Sequence, residues 1–161
     1  MSLPRAALLL LLAVLAAGCG GDKQTEGTTG TVSGPRLSQS QFVSSANAVC
    51  IAADRRVFRI GSLSREPGGW DKTARAAERG IAEMRNVRPP TAADAGFARM
   101  LTLAGSLQQE VAAVGAALRK HDFKAAQAAQ LRATTFDTKV KKQAQKLGLT
   151  FCGQLLTNWP A

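Results

Sequence analysis

The sequence predicts an all-α fold, an antiparallel up-and-down four-helix bundle with one disulfide, which follows a signal peptide and a flexible tether. Two observations predict the bundle: apolar residues recur at steps of three and four in four segments, and short connections join these segments. The number of cysteines predicts the disulfide. No segment alternates apolar and polar residues over a length that would favour a β-strand.

The first two helices are bounded by caps and turn residues. Ser38 or Ser40 can cap the first helix, and several turn signals over residues 61–69 end it. The second helix is predicted over about residues 70–87, because the residue before Pro89 is pushed out of the helical region. The inward positions of these helices are predicted to be Phe42, Ala46, Val49, Cys50, Ala53, Val57 and Ile60, then Trp70, Ala74, Ala77, Ile81 and Met84.

The third and fourth helices have their own boundary signals. Thr91 and Asp94 resemble a capping box for the third, Asp122 is a plausible cap for the fourth, and Gly148 ends the fourth in a left-handed conformation. The predicted inward positions are Phe97, Met100, Leu101, Ala104, Leu107, Val111, Val114 and Leu118, then Phe123, Ala126, Ala129, Ala133, Phe136, Val140, Ala144 and Leu147.

The N-terminal segment has the three parts of a bacterial signal peptide. Arg5 supplies a positive charge, residues 6–17 are an unbroken apolar run, and Gly18 precedes Cys19. The ending over residues 15–19 resembles the lipobox of bacterial lipoproteins, with Ala16 where that family usually has Leu. The resemblance implies cleavage before Cys19 and a lipid on its thiol. The alternative is an ordinary secretory signal with an incidental cysteine.

Composition changes sharply after the signal peptide. Residues 20–35 are mostly Gly, Thr, Ser and charged residues, which cannot bury enough apolar area to offset the entropy of ordering them. We therefore divide the chain into a signal peptide (1–18), a lipidated cysteine with a flexible linker (19–37) and a helical bundle domain (38–161).

Three cysteines are an odd number for an exported protein until Cys19 is assigned to lipid. Cys50 and Cys152 then form an even pair in an oxidising compartment, where a disulfide is expected. The residues from Gly148 to Cys152 are enough to run back along the bundle and reach Cys50. The alternative is a pair of free, buried thiols.

Three short motifs carry a wider resemblance. They are the segment 47–50 (Asn-Ala-Val-Cys), the segment 88–90 (Arg-Pro-Pro) and the segment 147–153 (Leu-Gly-Leu-Thr-Phe-Cys-Gly). Over about residues 42–153 the chain resembles small exported helical lipoproteins of high-GC Gram-positive bacteria. This resemblance implies a stapled helical bundle in the cell envelope but no particular reaction.

The sequence contains no pattern that predicts a catalytic residue, a metal site or a cofactor. His121 is the only histidine and falls in a turn, where a surface role is expected. Glu78, Glu83 and Glu110 are expected to be solvated surface residues rather than a paired carboxylate site. An enzyme or small-molecule carrier is the alternative hypothesis, with a pocket between the helices lined by Phe97, Met100, Phe123 and Phe136.

The charge of the chain favours anionic partners. The formal net charge is +10, and 20 basic against 11 acidic side chains remain after Arg5 is removed with the signal peptide. With no Tyr and few other aromatics, the chain has little material for base stacking, so nucleic acid is not an expected partner. Candidate contacts to anionic wall polymer, anionic lipid or an envelope protein are Arg55, Arg56, Arg59, Lys139, Lys142 and Lys146. We expect a non-enzymatic binding or structural module, held by lipid on the extracytoplasmic face of the cell membrane.

Overall fold

The computed structural model describes residues 35–61 and 67–153, all of which lie in one compact unit. These ranges hold helices and no strand: α1 (Gln39–Phe58), α2 (Pro67–Arg85), a single 3-10 turn (Thr91–Ala93), α3 (Asp94–Arg119) and α4 (Phe123–Lys146). None of the described helices is long and apolar enough to cross a membrane. The predicted signal peptide, Cys19 and the linker up to residue 34 lie outside the described residues.

The predicted helix caps at three positions are confirmed. The Ser38 hydroxyl accepts a hydrogen bond from the Gln41 N–H, and the Gln41 side chain accepts one from the Ser38 N–H, which completes a capping box. The Asp122 carboxylate accepts from the Ala125 N–H at 2.9 Å. Gly148 has a φ of +78° and ends α4 in a left-handed turn.

Two predicted boundaries are wrong by a few residues. α2 begins at Pro67 inside the segment expected to be a turn, because proline fits the first position of a helix, where no backbone N–H is needed. Thr91 does not cap α3: residues Thr91–Ala93 form the 3-10 turn, and the residues flanking that turn make no side-chain capping bond. The chain thus tightens into α3 through the turn rather than through a capping box.

Each helix packs against the next one along the chain, and α1 crosses α2 at an angle instead of running alongside it. Pairs such as Gly96 with Gln143 and Glu110 with Arg132 show that α3 and α4 are antiparallel. The Leu37 N–H donates to the Arg88 carbonyl, so α1 starts where α2 ends. Ala53 is 16 residues beyond Leu37, but the residue of α2 that it faces, Gly80, is only 8 residues before Arg88. α1 therefore crosses α2 at an angle.

This crossing divides the hydrophobic core into two clusters. The first combines residues of all four helices, including Met84 of α2, with the chain after α4, and it contains the edge-on contact of the Phe42 and Phe97 rings, whose centroids are 5.3 Å apart. The second surrounds Trp70 and is built by α2, α3 and α4 without any described residue of α1. The bundle therefore has four helices at one end and three at the other.

The tail that follows α4 fills the gap beside α1. Among the described helices, α1 and α4 do not approach within 8 Å between Cα atoms. Instead the Phe151 N–H donates to the Asn47 side-chain oxygen at 3.2 Å, and the Sγ atoms of Cys50 and Cys152 are 2.06 Å apart, at disulfide-bonding distance. The tail is thus a strap, residues 147–153, that ties the end of the chain to α1.

Candidate functional site

The bundle contains a partly open pocket where its two core clusters meet. The pocket has a cavity volume of about 70 Å³, several times the roughly 10–15 Å³ that one water molecule requires. Its wall includes Met84 and Met100 from the first cluster and Leu107 from the second. The strap closes one side of the pocket through Phe151 and Cys152.

Small residues leave the space that forms the pocket. Four of the lining positions on the helices are small, one on α1, two on α2 and one on α3: Ala53, Ala77, Gly80 and Ala104. An added Cβ on Gly80 would lie 2.9 Å from the Cβ of Ala53, so α1 and α2 are already in close contact at the edge of the cavity. The cavity lies beside this contact, where larger side chains would have filled it.

The pocket wall is apolar except for one carboxylate. Asp54 of α1 is half-buried, and it is the one charged residue among the described residues that line the pocket. In the described part of the chain, no side chain forms an ion pair or a hydrogen bond with Asp54. The pocket therefore offers an apolar surface with a single negative charge.

The aromatic pocket expected from the sequence does not form. Met100 does line the cavity, but Phe97 packs against Phe42 in the core. The Phe123 side chain is 63% exposed at the start of α4, so its predicted inward position is wrong. Phe136 is half-buried and carries the Lys139 ammonium 5.2 Å from its ring centroid. Phe123 is the first residue of α4, and burial on this helix begins only one turn later, at Ala126.

The predicted basic contacts fall into two separate groups. Lys139, Lys142 and Lys146 are exposed at steps of three and four, so they form a strip along α4, here called the lysine strip. α4 ends beside the start of α1, where the Gln39 side chain donates to the Leu147 carbonyl. The arginines of α1 are near its other end, about 24 Å along the helix axis at 1.5 Å per residue.

The arginines of α1 differ in their contacts. Arg56 forms a two-pronged ion pair with Glu83, with nitrogen to oxygen distances of 2.8 and 2.7 Å. Arg55 and Arg59 are exposed. Arg56 therefore holds α1 against α2, which leaves Arg55 and Arg59 as the basic residues of this group at the surface.

The acidic and histidine candidates are also apart from one another. Glu83 pairs with Arg56, Glu110 pairs with Arg132 of α4, and Glu78 is exposed, so these carboxylates do not form a paired site. His121 is exposed in the turn between α3 and α4, with a left-handed φ of 56°. The described residues contain no cluster of three His, Cys, Asp or Glu side chains that could hold a metal ion.

One buried acid was missed in the sequence. Asp137 of α4 is only 8% exposed, and none of the described residues donates a hydrogen bond to its Oδ1. Burial raises the pKa of Asp137 to about 6, although the positive charge of Lys141 one turn later opposes this shift. Its position between Ala133 and Val140 on the inward face was a signal that could have identified it.

The pocket wall could not be predicted from the sequence either. Ala53, Ala77 and Ala104 were correctly placed on inward faces, but periodicity does not show where facing small residues leave space. Asp54 lies beside the inward position Ala53, and a surface role would be the ordinary expectation for such an acid. The strap and the crossing of α1 bring these residues together.

Comparison of the chain with protein families, with curated proteins and with solved structures found no match.

Proposed function

We propose that the protein is a lipid-anchored, extracytoplasmic binding module of the cell envelope that catalyses no reaction. The observation that carries this proposal is the pairing of Cys50 with Cys152 in the bundle. Of three cysteines, this pairing leaves Cys19, at the end of an apolar run and after a small residue, as a thiol available for acylation. Two acyl chains on one cysteine would hold the protein on a bilayer, whereas a single acyl chain gives only marginal membrane binding.

The test of the anchor is the replacement Cys19→Ala in the producing cell, followed by separation of membrane and soluble fractions. The exported variant is expected to leave the membrane fraction. The double variant Cys50→Ala/Cys152→Ala is the matched control, since it also loses cysteines but keeps Cys19 and should stay with the membrane. If Cys19→Ala stayed in the membrane fraction, as the control variant does, the proposal of a lipid anchor on Cys19 would be contradicted.

The lysine strip supports an anionic partner for this module. Lys139, Lys142 and Lys146 are exposed on one side of α4, and the chain as a whole carries a net charge of +10. Anionic wall polymer and anionic lipid headgroups are the ligands that such a strip attracts. Binding to phosphatidylglycerol vesicles should decrease with added salt, and it should decrease further when all three lysines are replaced by Gln. If the Gln variant bound the vesicles as tightly as the parent protein, the lysine strip would be excluded as the binding surface.

The apolar pocket supports a second candidate, a carrier of a small molecule. The wall offers hydrophobic contact and one carboxylate, and its two cysteines are bonded to each other. Such a wall suits binding, because catalysis would require a second reactive group positioned against the first. A carrier role is compatible with the lipid anchor, which would keep the pocket near the membrane.

A further inference from the structure

We propose that the pocket binds a short, unbranched alkylammonium ion, with its few carbons in the apolar cavity and its positively charged ammonium group held by Asp54. This inference rests on the carrier role proposed above and names the ligand class. It joins two observations: an apolar cavity at the junction of the core clusters, and a carboxylate in its wall with which no side chain of the described residues pairs.

The size of the cavity selects a narrow ligand. At about 70 Å³ it is well below the roughly 300 Å³ at which drug-sized pockets begin. This is the volume of two or three water molecules at roughly 30 Å³ each, and about half that of a cavity that holds one benzene, so only an unbranched alkyl group of a few carbons can be enclosed. Met84 and Met100 in the wall are flexible and polarizable, which lets the pocket adjust to a chain.

The wall gives the chain a favourable environment. Every described lining residue apart from Asp54 is apolar or glycine, so an alkyl chain would leave water without desolvating a polar wall group. The strap contributes Phe151 and Cys152 to this wall, and Phe151 is half exposed at its edge. Asp54 is only half-buried in this wall, so an ammonium head held by its carboxylate can remain in contact with water.

The charge of the head follows from Asp54. A half-buried carboxylate beside apolar groups attracts a cation more strongly than a fully solvated one does, because the surrounding dielectric is lower. Arg56, which follows Asp54 by two residues on α1, forms its ion pair with Glu83 and not with Asp54. In a chain of net charge +10, preference for a cation would have to come from a local acid of this kind.

The test is calorimetric titration of the exported full chain carrying Cys19→Ala, which has no acyl chains of its own. Three short probes of equal chain length are compared: propylammonium, propanol and propyl sulfate. The cation should bind at least about tenfold more tightly than the sulfate, as expected for an interaction with a charged group. Asp54→Asn should weaken the cation about tenfold and leave propanol unchanged. Glu78→Gln, which removes an exposed acid elsewhere, should change neither.

A second pair of variants locates the chain. Ala104→Leu should fill the cavity and weaken both the cation and propanol about tenfold or more, whereas Ala128→Leu on the exposed side of α4 should have no effect. If Ala104→Leu does not fold, Leu101→Phe at a half-buried wall position serves the same purpose.

The outcomes separate the ligand class from the carrier role. Equal binding of all three probes, or a cation affinity unchanged in Asp54→Asn, would overturn the assignment of the head while the carrier role stands. Absence of binding by every probe, or affinities unaffected by the cavity-filling variant, would overturn the carrier role as well. Membrane release of Cys19→Ala is measured separately, so failure of the anchor is distinguished from both.

Discussion

The Cβ of Ala53 lies 2.9 Å from the position that a Cβ on Gly80 would occupy, so α1 and α2 meet without room for another methyl group. Gly80→Ala should therefore lower the free energy of unfolding by about 1–3 kcal/mol, because the helices must move apart. Gly105→Ala in the interior of α3 is the control, since a Cβ there has nothing within 4 Å. It should raise stability by about 0.5–1 kcal/mol through helix propensity.

Urea unfolding of the two glycine variants measures this difference. Restoring the space with Ala53→Gly should recover part of the stability lost in Gly80→Ala. If Gly80→Ala were as stabilising as Gly105→Ala, the close approach of α1 to α2 would be wrong.

The strap predicts a strong dependence of stability on the Cys50 and Cys152 pair. These residues are 102 positions apart, so the disulfide closes a long loop in the unfolded chain. Replacing both with Ala should cost about 2–5 kcal/mol of unfolding free energy, and a reductant should have a similar effect on the unmodified chain. Cys19→Ala is the control and should unfold like the parent chain. Insensitivity of the unfolding midpoint to reductant would mean that the two thiols are not joined.

Asp137 predicts a specific pH dependence. Its pKa of about 6 in the folded chain is above the ordinary value of about 3.9, so the folded state holds this proton more tightly than the unfolded state does. The residue therefore lowers stability as the pH rises from about 4 through 6, and the penalty is complete above pH 6. Asp137→Asn, which keeps the shape but does not ionise, should be more stable than the parent by about 2 kcal/mol at pH 7.5, and the gain should shrink toward pH 4.

Urea unfolding at pH 4 and pH 7.5 gives the measurement for Asp137. Asp122→Asn at the exposed cap of α4 is a suitable control for loss of an acid outside the core. A gain for Asp137→Asn that is the same at both pH values would show that this carboxyl does not carry the dependence.

His121 predicts a stabilising substitution at the end of α3. The Asp122 N–H donates to the Ala117 carbonyl, and the His121 N–H donates to the Leu118 carbonyl, which is the helix ending usually made by glycine. His121→Gly should thus raise the melting temperature by a few degrees, about 0.5–1 kcal/mol, while Gly148→Ala at the matching position of α4 should lower it. A loss of stability in His121→Gly would point instead to a contact made by the imidazole ring.

The sequence was sufficient for features whose cause is local. The apolar stripe of α3, the cap at Asp122 and the left-handed end at Gly148 all depend on residues within a turn or two of one another. Cysteine number and chain reach were sufficient for the pairing of Cys50 with Cys152. These predictions required only helix geometry, capping and the length of the chain.

Features that depend on packing between helices could not be predicted. Phe123 at the start of α4 is exposed although its apolar character and spacing favoured burial, because burial on this helix begins only one turn later, at Ala126. The crossing of α1 over Gly80 requires two small residues to face each other across separate helices. The cavity and Asp54 at its wall are consequences of that crossing, so the candidate site was not visible in any single segment.

We propose that Cys19 carries lipid while Cys50 and Cys152 are bonded to each other. Mass spectrometry of the protein isolated from membranes, without reduction, tests both parts at once. We expect an N-terminal peptide that begins at Cys19 with an added acyl-glycerol mass, and a linked peptide pair containing Cys50 and Cys152. An unmodified Cys19, together with two thiols at positions 50 and 152 that can be alkylated, would contradict the claim.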